Sequence, residues 1–174
     1  MNPTLKTLLS RRSVRKYKSD KIPKEVLDEI IAAGLYAPTG RNRQAPAIIV
    51  ITDPETRAAI ARKNSEIGGW GDGFDPFFGA PAVLLVIAKK CNTDVYDGSC
   101  AIANIMNAAW SLGVASCWVH RAKEEIESDF GRELLSGLGL NADDYIGVGH
   151  VALGYADGDI PEAKPRDDNR VFYK

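Results

Sequence analysis

Arg11-Arg12-Ser13-Val14-Arg15-Lys16-Tyr17 gathers four cations into seven residues of a chain whose formal net charge is only -1. Such density is met either by solvent, as in a basic turn, or by an anion. Guanidinium forks bind phosphate through paired hydrogen bonds, and the Ser13 hydroxyl adds a donor. Both readings stand on spacing alone. Other candidates for chemistry are few. His120 and His150 lack metal-ligand spacing, and no acidic ligands are expected to cluster near them. His150, inside Gly147-Val148-Gly149-His150-Val151, reads as a core histidine with its hydrogen bonds satisfied. Cys117 lies in an apolar run without a nearby base and reads as structural rather than nucleophilic. No Gly-x-Gly-x-x-Gly follows a strand and no Walker loop occurs, which argues against a Rossmann or P-loop cofactor site.

The elements that must position these residues follow from periodicity. A short helix opens at Pro3 or Thr4 and runs to about Ser10, with Leu5, Leu8 and Leu9 on one side. A second begins near Pro23 and carries Val26, Leu27, Ile30 and Ile31 at helical spacing to about Tyr36. Pro38 and Gly40 end it and open a loop. Residues 47–51 and 83–87 are short apolar runs that read as buried strands. Asp53-Pro54 caps a helix expected to reach about Asn64. Residues 68–79 carry five glycines with Trp70, Phe74, Phe77 and Phe78, an irregular aromatic segment expected to form a pocket wall or lid. Asp97 to Leu112 reads as a central helix, closed by Gly113. It is apolar on more faces than one sheet covers, so part of it is expected at an interface. Residues 116–119 and 146–155 read as strands, and Glu124 to about Leu135 as one helix between them. Val171-Phe172-Tyr173 closes a polar tail and is expected to add a strand to a sheet edge. Alternating strands and helices point to an α+β or α/β sheet core.

With 174 residues, 45% hydrophobic and 26% charged, the chain is expected to form one domain with a substantial core. The balanced charge argues against a nucleic-acid partner. Three cysteines without CxxC spacing, no long apolar N-terminal core, and an apolar run of only residues 80–88 set the expectation of a cytoplasmic protein without a membrane span.

Three stretches together resemble the nitroreductase family, the FMN-dependent enzymes that oxidise nicotinamides. Arg11-Arg12-Ser13-Val14-Arg15 after Leu8-Leu9 resembles the family's opening. Ala37-Pro38-Thr39-Gly40-Arg41-Asn42-Arg43-Gln44-Ala45-Pro46 is similar to its Pro-Ser-x-x-Asn-x-Gln-Pro loop. Leu153-Gly154-Tyr155 followed by Lys164-Pro165-Arg166 is the third. Order and spacing agree from Leu8 to Arg166.

The resemblance implies an α+β fold with a central mixed sheet flanked by helices. It also implies an intertwined homodimer whose extended C-terminal segment reaches the partner, with residues 1–174 as a single FMN-binding domain. Arg11, Ser13, Lys164 and Arg166 match phosphate-contacting positions, with Arg12 beside them at a position that varies. Arg15 matches the cation at the flavin's pyrimidine edge. Pro38, Thr39, Asn42 and Gln44 lie in the loop that approaches the flavin from the other subunit. Trp118, Val119 and His120 align with a stretch whose backbone faces the ring. The implied activity passes hydride from NADH or NADPH through flavin N5 to a small-molecule acceptor such as a nitroaromatic or quinone, in ping-pong order. No side-chain acid or base is required, because the flavin carries the chemistry. The alternatives are a flavin store or sensor without turnover, and a relative that fragments reduced flavin. Ala45 departs from the loop's usual proline and Pro46 from a common aromatic. The insertion that forms the substrate channel in larger members is missing or reduced to residues 68–78.

Overall fold

The computed structural model describes residues 1–71 and 73–174. Asp72, within the aromatic segment, lies outside the described residues.

Four strands, β1 (Pro46–Ile51), β2 (Ala82–Lys89), β3 (Ala115–Val119) and β4 (Tyr145–Gly154), form one sheet in the order β1-β2-β4-β3. All three ladders are antiparallel. The parallel contribution is confined to an isolated bridge between Ser13 and Ser116 on the outer edge of β3. Among the described residues the helices are α1 (Pro3–Ser10), α2 (Lys24–Leu35), α3 (Pro54–Gly68), α4 (Asp94–Ser111), α5 (Ala122–Glu127) and α6 (Asp129–Gly137). The α+β architecture expected from the sequence is the one observed.

The sheet is covered on both faces, which explains the unbroken apolar run of β2. Val83, Leu85 and Ile87 join Cys117, Val119, Ala152 and Ile126 on the face under α3 and α5. Ala82, Leu84, Val86 and Ala88 point the other way, onto Ile102, Ile105 and Ala109 of α4 and Leu27 and Ile30 of α2. Full burial of each such Leu or Ile is worth about 1.5–3 kcal/mol. Val148 is an extra residue in β4, opposite the register shift between Val86 and Ile87. Gly98 makes room for it, since a Cβ there would lie 2.5 Å from the Val148 side chain.

Four local expectations are corrected. The 47–51 run is not a fully buried strand: β1 is an edge strand with Val50 exposed, because only β2 flanks it. α3 continues a further turn past Asn64 to Gly68 and stops where Gly69 takes a left-handed conformation at φ +66°. The single helix expected from Glu124 is two helices. Ser128 leaves helical geometry and its hydroxyl accepts from Gly131 N. The close approach of α6 to α5 then demands glycine, since a Cβ on Gly131 would lie 2.2 Å from the Glu125 carbonyl. Finally, Val171-Phe172-Tyr173 adds no strand within the chain. The tail from residue 158 is exposed throughout, without helix or strand.

α4 begins at Asp94, one turn earlier than expected, and is buried along Asp97, Gly98, Ala101, Ile102, Ile105, Met106 and Ala109. Its opposite face leaves Tyr96, Cys100 and Ala103 exposed. α1 buries no residue at all, and Leu5, Leu8 and Leu9 are all at least half exposed.

Candidate functional site

The basic stretch continues the sheet. Val14 N donates to Ser116 O at 3.0 Å, Lys18 N to Tyr155 O at 2.9 Å, and Asp157 N to Lys16 O at 3.0 Å. Val14 and Tyr17 are buried as anchors, with Tyr17 Oη donating to Val14 O at 2.7 Å. Burial pushes the Tyr17 hydroxyl far above the ordinary tyrosine range, so it remains a donor. Arg15, Lys16 and Lys18 stay exposed on either side of these anchors.

Arg11 follows the last turn of α1, where its backbone N–H still donates to Thr7 O. Its Nη1 is buried and has no hydrogen-bond partner among the described residues. A buried guanidinium N–H without an acceptor is costly, on the order of 1–3 kcal/mol, and an anion would satisfy it. Arg12 turns back instead, its Nη1 donating to Leu9 O at 2.8 Å and Arg11 O at 2.7 Å. Its guanidinium therefore closes the end of α1. Ser13 and the charges of Arg15 and Arg11 all act on Cys117. Burial pushes that thiol up, and the three groups pull against it. Arg11, Ser13 and Arg15 thus converge on β3, which runs on into Trp118, Val119 and His120. Val119 is buried, while Trp118 and His120 are exposed. The Trp118 indole lies over Gly149, where a Cβ would come within 2.2 Å of its Nε1.

The second group of expected site residues lies elsewhere. Residues 39–44 form a tight polar loop in which Arg41, Asn42 and Gln44 all have positive φ, at 54°, 53° and 51°. Three non-glycine residues in that region are sparsely populated backbone, which persists only when the surroundings impose it. Asp97 does so. Its buried carboxylate accepts from Gly40 N at 3.0 Å and from Thr93 Oγ1 at 3.0 Å. Gln44 N donates to Thr39 Oγ1 at 3.1 Å, and Arg43 reaches Asn92 Oδ1 at 2.7 Å. Pro38, Asn42 and Gln44 are exposed and Thr39 half-buried.

Both groups hang on α4, at opposite ends. Asp97 holds the loop, and Trp110 Nε1 donates to Ser10 Oγ beside Arg11 at 2.8 Å. The two anchors stand thirteen positions apart on α4, which is about 20 Å at 1.5 Å per residue. Within one chain the structure does not bring Thr39 and Asn42 to Arg11. Lys164 and Arg166 stand on the exposed tail.

The sequence reading missed Asp97, Thr93, Asn64 and Glu125. Asp97 and Asn64 carry a recoverable signal: each is a polar residue on the apolar stripe of a helix, Asn64 at i+3 and i+4 from Ala61 and Ile60. His150 lies in the core and pairs with one buried carboxylate, Glu125, at 3.1 Å. Among the described residues no three His, Cys, Asp or Glu side chains gather into a metal site, and no helix is long and apolar enough to cross a membrane.

The structure is thus a doubly covered α+β sheet whose edge carries Ser13, preceded by an Arg11 whose buried Nη1 has no hydrogen-bond partner among the described residues. Comparison with known proteins is specific. The nitroreductase family model matches residues 8–68. A relative from Archaeoglobus fulgidus, provisionally named an NADH dehydrogenase/NAD(P)H nitroreductase, is 32% identical over 89% of this chain and 86% of its own length. An FMN reductase [NAD(P)H] from Bacillus subtilis is 32% identical over 66% of this chain, which spans 47% of that protein. Among solved structures, a nitroreductase with bound FMN from Bacteroides fragilis superposes with a TM-score of 0.88 at 28% identity, over 99% of each chain. One from Desulfitobacterium hafniense, also with bound FMN, gives 0.87 at 27%, over 99% of this chain and 98% of its own. The chain belongs to the nitroreductase family.

Proposed function

We propose that the chain is an FMN-dependent oxidoreductase that uses NADH or NADPH and acts as a homodimer, with residues 1–174 as one FMN-binding domain. The observation that carries this reading is the buried, partnerless Nη1 of Arg11, beside Ser13, in a family whose solved relatives hold FMN. The chemistry FMN supplies when bound is two-electron exchange: reducing equivalents from NAD(P)H enter at N5 and leave to a small acceptor such as a nitroaromatic or quinone, in ping-pong order. Arg11, Ser13, Lys164 and Arg166 would hold the phosphate by charge-assisted hydrogen bonds. Arg15, exposed beside β3, would set a positive charge near the ring's pyrimidine edge and favour negative charge there. The backbone at Trp118–His120 would face the ring.

Pro38, Thr39, Asn42 and Gln44 would come from a second copy, because about 20 Å of α4 separates their loop from Arg11 within a chain. The uncovered Leu5, Leu8 and Leu9 of α1, the open face of α4 and the exposed tail supply apolar surface for that copy. The free thiols of Cys91, Cys100 and Cys117 accord with the reducing cytoplasm.

The visible spectrum of the purified protein, before and after NAD(P)H, tests the reading. A flavin band that bleaches with NAD(P)H and returns with a nitroaromatic or quinone is expected. A band that never bleaches points to a flavin store, and one that decays without acceptor points to flavin fragmentation. A protein that takes up no FMN refutes the cofactor assignment.

A further inference from the structure

Asn64 of α3, Glu125 of α5 and His150 of β4 are each fully buried on one face of the sheet. His150 Nε2 and Glu125 Oε1 share a hydrogen bond at 3.1 Å. Asn64 Nδ2 lies 3.5 Å from Glu125 Oε2 and donates to the His120 carbonyl at 2.9 Å. The buried Phe77 ring packs on the imidazole at 5.2 Å between centroids. As core packing this cluster is a poor choice. Desolvating a carboxylate, an imidazole and an amide is unfavourable beside an apolar trio of equal volume. Asn64 Oδ1 and His150 Nδ1 have no partner among the described residues. What apolar side chains cannot do is deliver a donor to His120 O, where β3 ends.

That carbonyl belongs to a turn with uncommon backbone: Arg121 has φ +79°, which non-glycine residues seldom adopt. The C=O and N–H of a trans peptide point in opposite directions. With the His120 carbonyl drawn inward by buried Asn64, the Arg121 N–H points out of the core. It does so just past the end of β3, the strand whose Ser116 bridges to Ser13 and whose Cys117 feels the charges of Arg15 and Arg11. The ion pair of Arg121 with Glu124 at 3.1 Å steadies the turn from outside.

We infer that Asn64, held by Glu125 and His150, is a positioning residue for the cofactor site. It sets the direction of the His120–Arg121 peptide and thereby the backbone donor this turn offers to FMN. This inference rests on the cofactor reading above.

The test compares Asn64→Leu, Glu125→Gln and a control, Ile126→Val, which trims the same buried helix without touching the cluster. Amide hydrogen exchange of residues 119–122 is read in the cofactor-free protein. FMN affinity, flavin reduction potential and Tm are read alongside. Asn64→Leu should speed exchange in that segment, weaken FMN binding by about tenfold, the scale of one hydrogen bond, and shift the potential. Glu125→Gln, which keeps volume and fold, should move the same readouts in the same direction by less, and it decides alone should Asn64→Leu not fold. Ile126→Val should lower Tm and leave exchange at 119–122, affinity and potential as in wild type. Unchanged exchange in both cluster variants overturns the inference. So does faster exchange with affinity and potential unmoved, which would make the cluster a fold element only. A wild type that binds no FMN overturns the cofactor assignment instead, and the exchange data then still decide whether Asn64 holds the turn.

Discussion

Replacing Arg11 by methionine keeps most of the apolar stalk and removes the buried guanidinium. In the cofactor-free protein its buried Nη1 has no acceptor among the described residues. Its loss therefore removes an unfavourable desolvation on the order of 1–3 kcal/mol. The free protein should keep or raise its Tm. Binding should move the other way. A hydrogen bond from a charged donor is worth about 1.5–3 kcal/mol, so FMN affinity should fall by roughly 10- to 150-fold. Quenching of flavin fluorescence, titrated with FMN and with riboflavin, separates the causes. Riboflavin lacks the phosphate and should bind wild type more weakly than FMN does, yet be nearly indifferent to Arg11→Met. Equal losses for both flavins would show that Arg11 does not hold the phosphate. A large fall in the free protein's Tm would show that the guanidinium already has a partner there.

Arg15→Gln keeps donors but removes the charge, so the flavin midpoint potential should fall while affinity for oxidised FMN changes less; an unmoved potential takes Arg15 away from the ring. Ending the chain at Gly158 spares the Lys16–Asp157 pair at 2.8 Å but removes Lys164, Arg166 and the exposed terminal aromatics. Sedimentation and flavin absorbance should report loss of dimer and cofactor together, and a truncated protein that stays dimeric and yellow contradicts the role given to the tail. Asp75 ties the aromatic segment to α3. Burial would raise its carboxyl, but Arg57 and the N–H groups of Gly79 and Phe77 outweigh burial and hold it below its ordinary 3.8. A depressed folded pKa contributes stability that is fully present above the unfolded value and is lost as pH falls through the folded one. Asp75→Asn should therefore lower Tm at neutral pH, with the gap to wild type closing below about pH 4; a gap that stays constant into acid refutes this.

Much of the fold was legible because it is local. The caps at Asp53 and Pro54, the stop at Gly113 and the buried apolar run of β2 all lie within a few residues of what causes them. The basic stretch was legible as chemistry for the same reason: four cations in seven residues demand a counterpart wherever they fold. What tertiary structure decided is which distant groups meet. Glu125 and His150 stand 25 residues apart, and only the packing of α5 on β4 makes them a pair. Asp97 read as the opening residue of an apolar helix, and only the fold showed the loop at Gly40 closing onto it. Apolar periodicity runs through Ser128 and does not split the helix there; the Ser128 cap breaks it locally, and the fit of Gly131 against the Glu125 carbonyl is what tertiary packing adds. Nor could periodicity set Thr39 and Arg11 at opposite ends of α4. That separation is a length along a rigid rod, and it is the reason a second copy is proposed to complete each site.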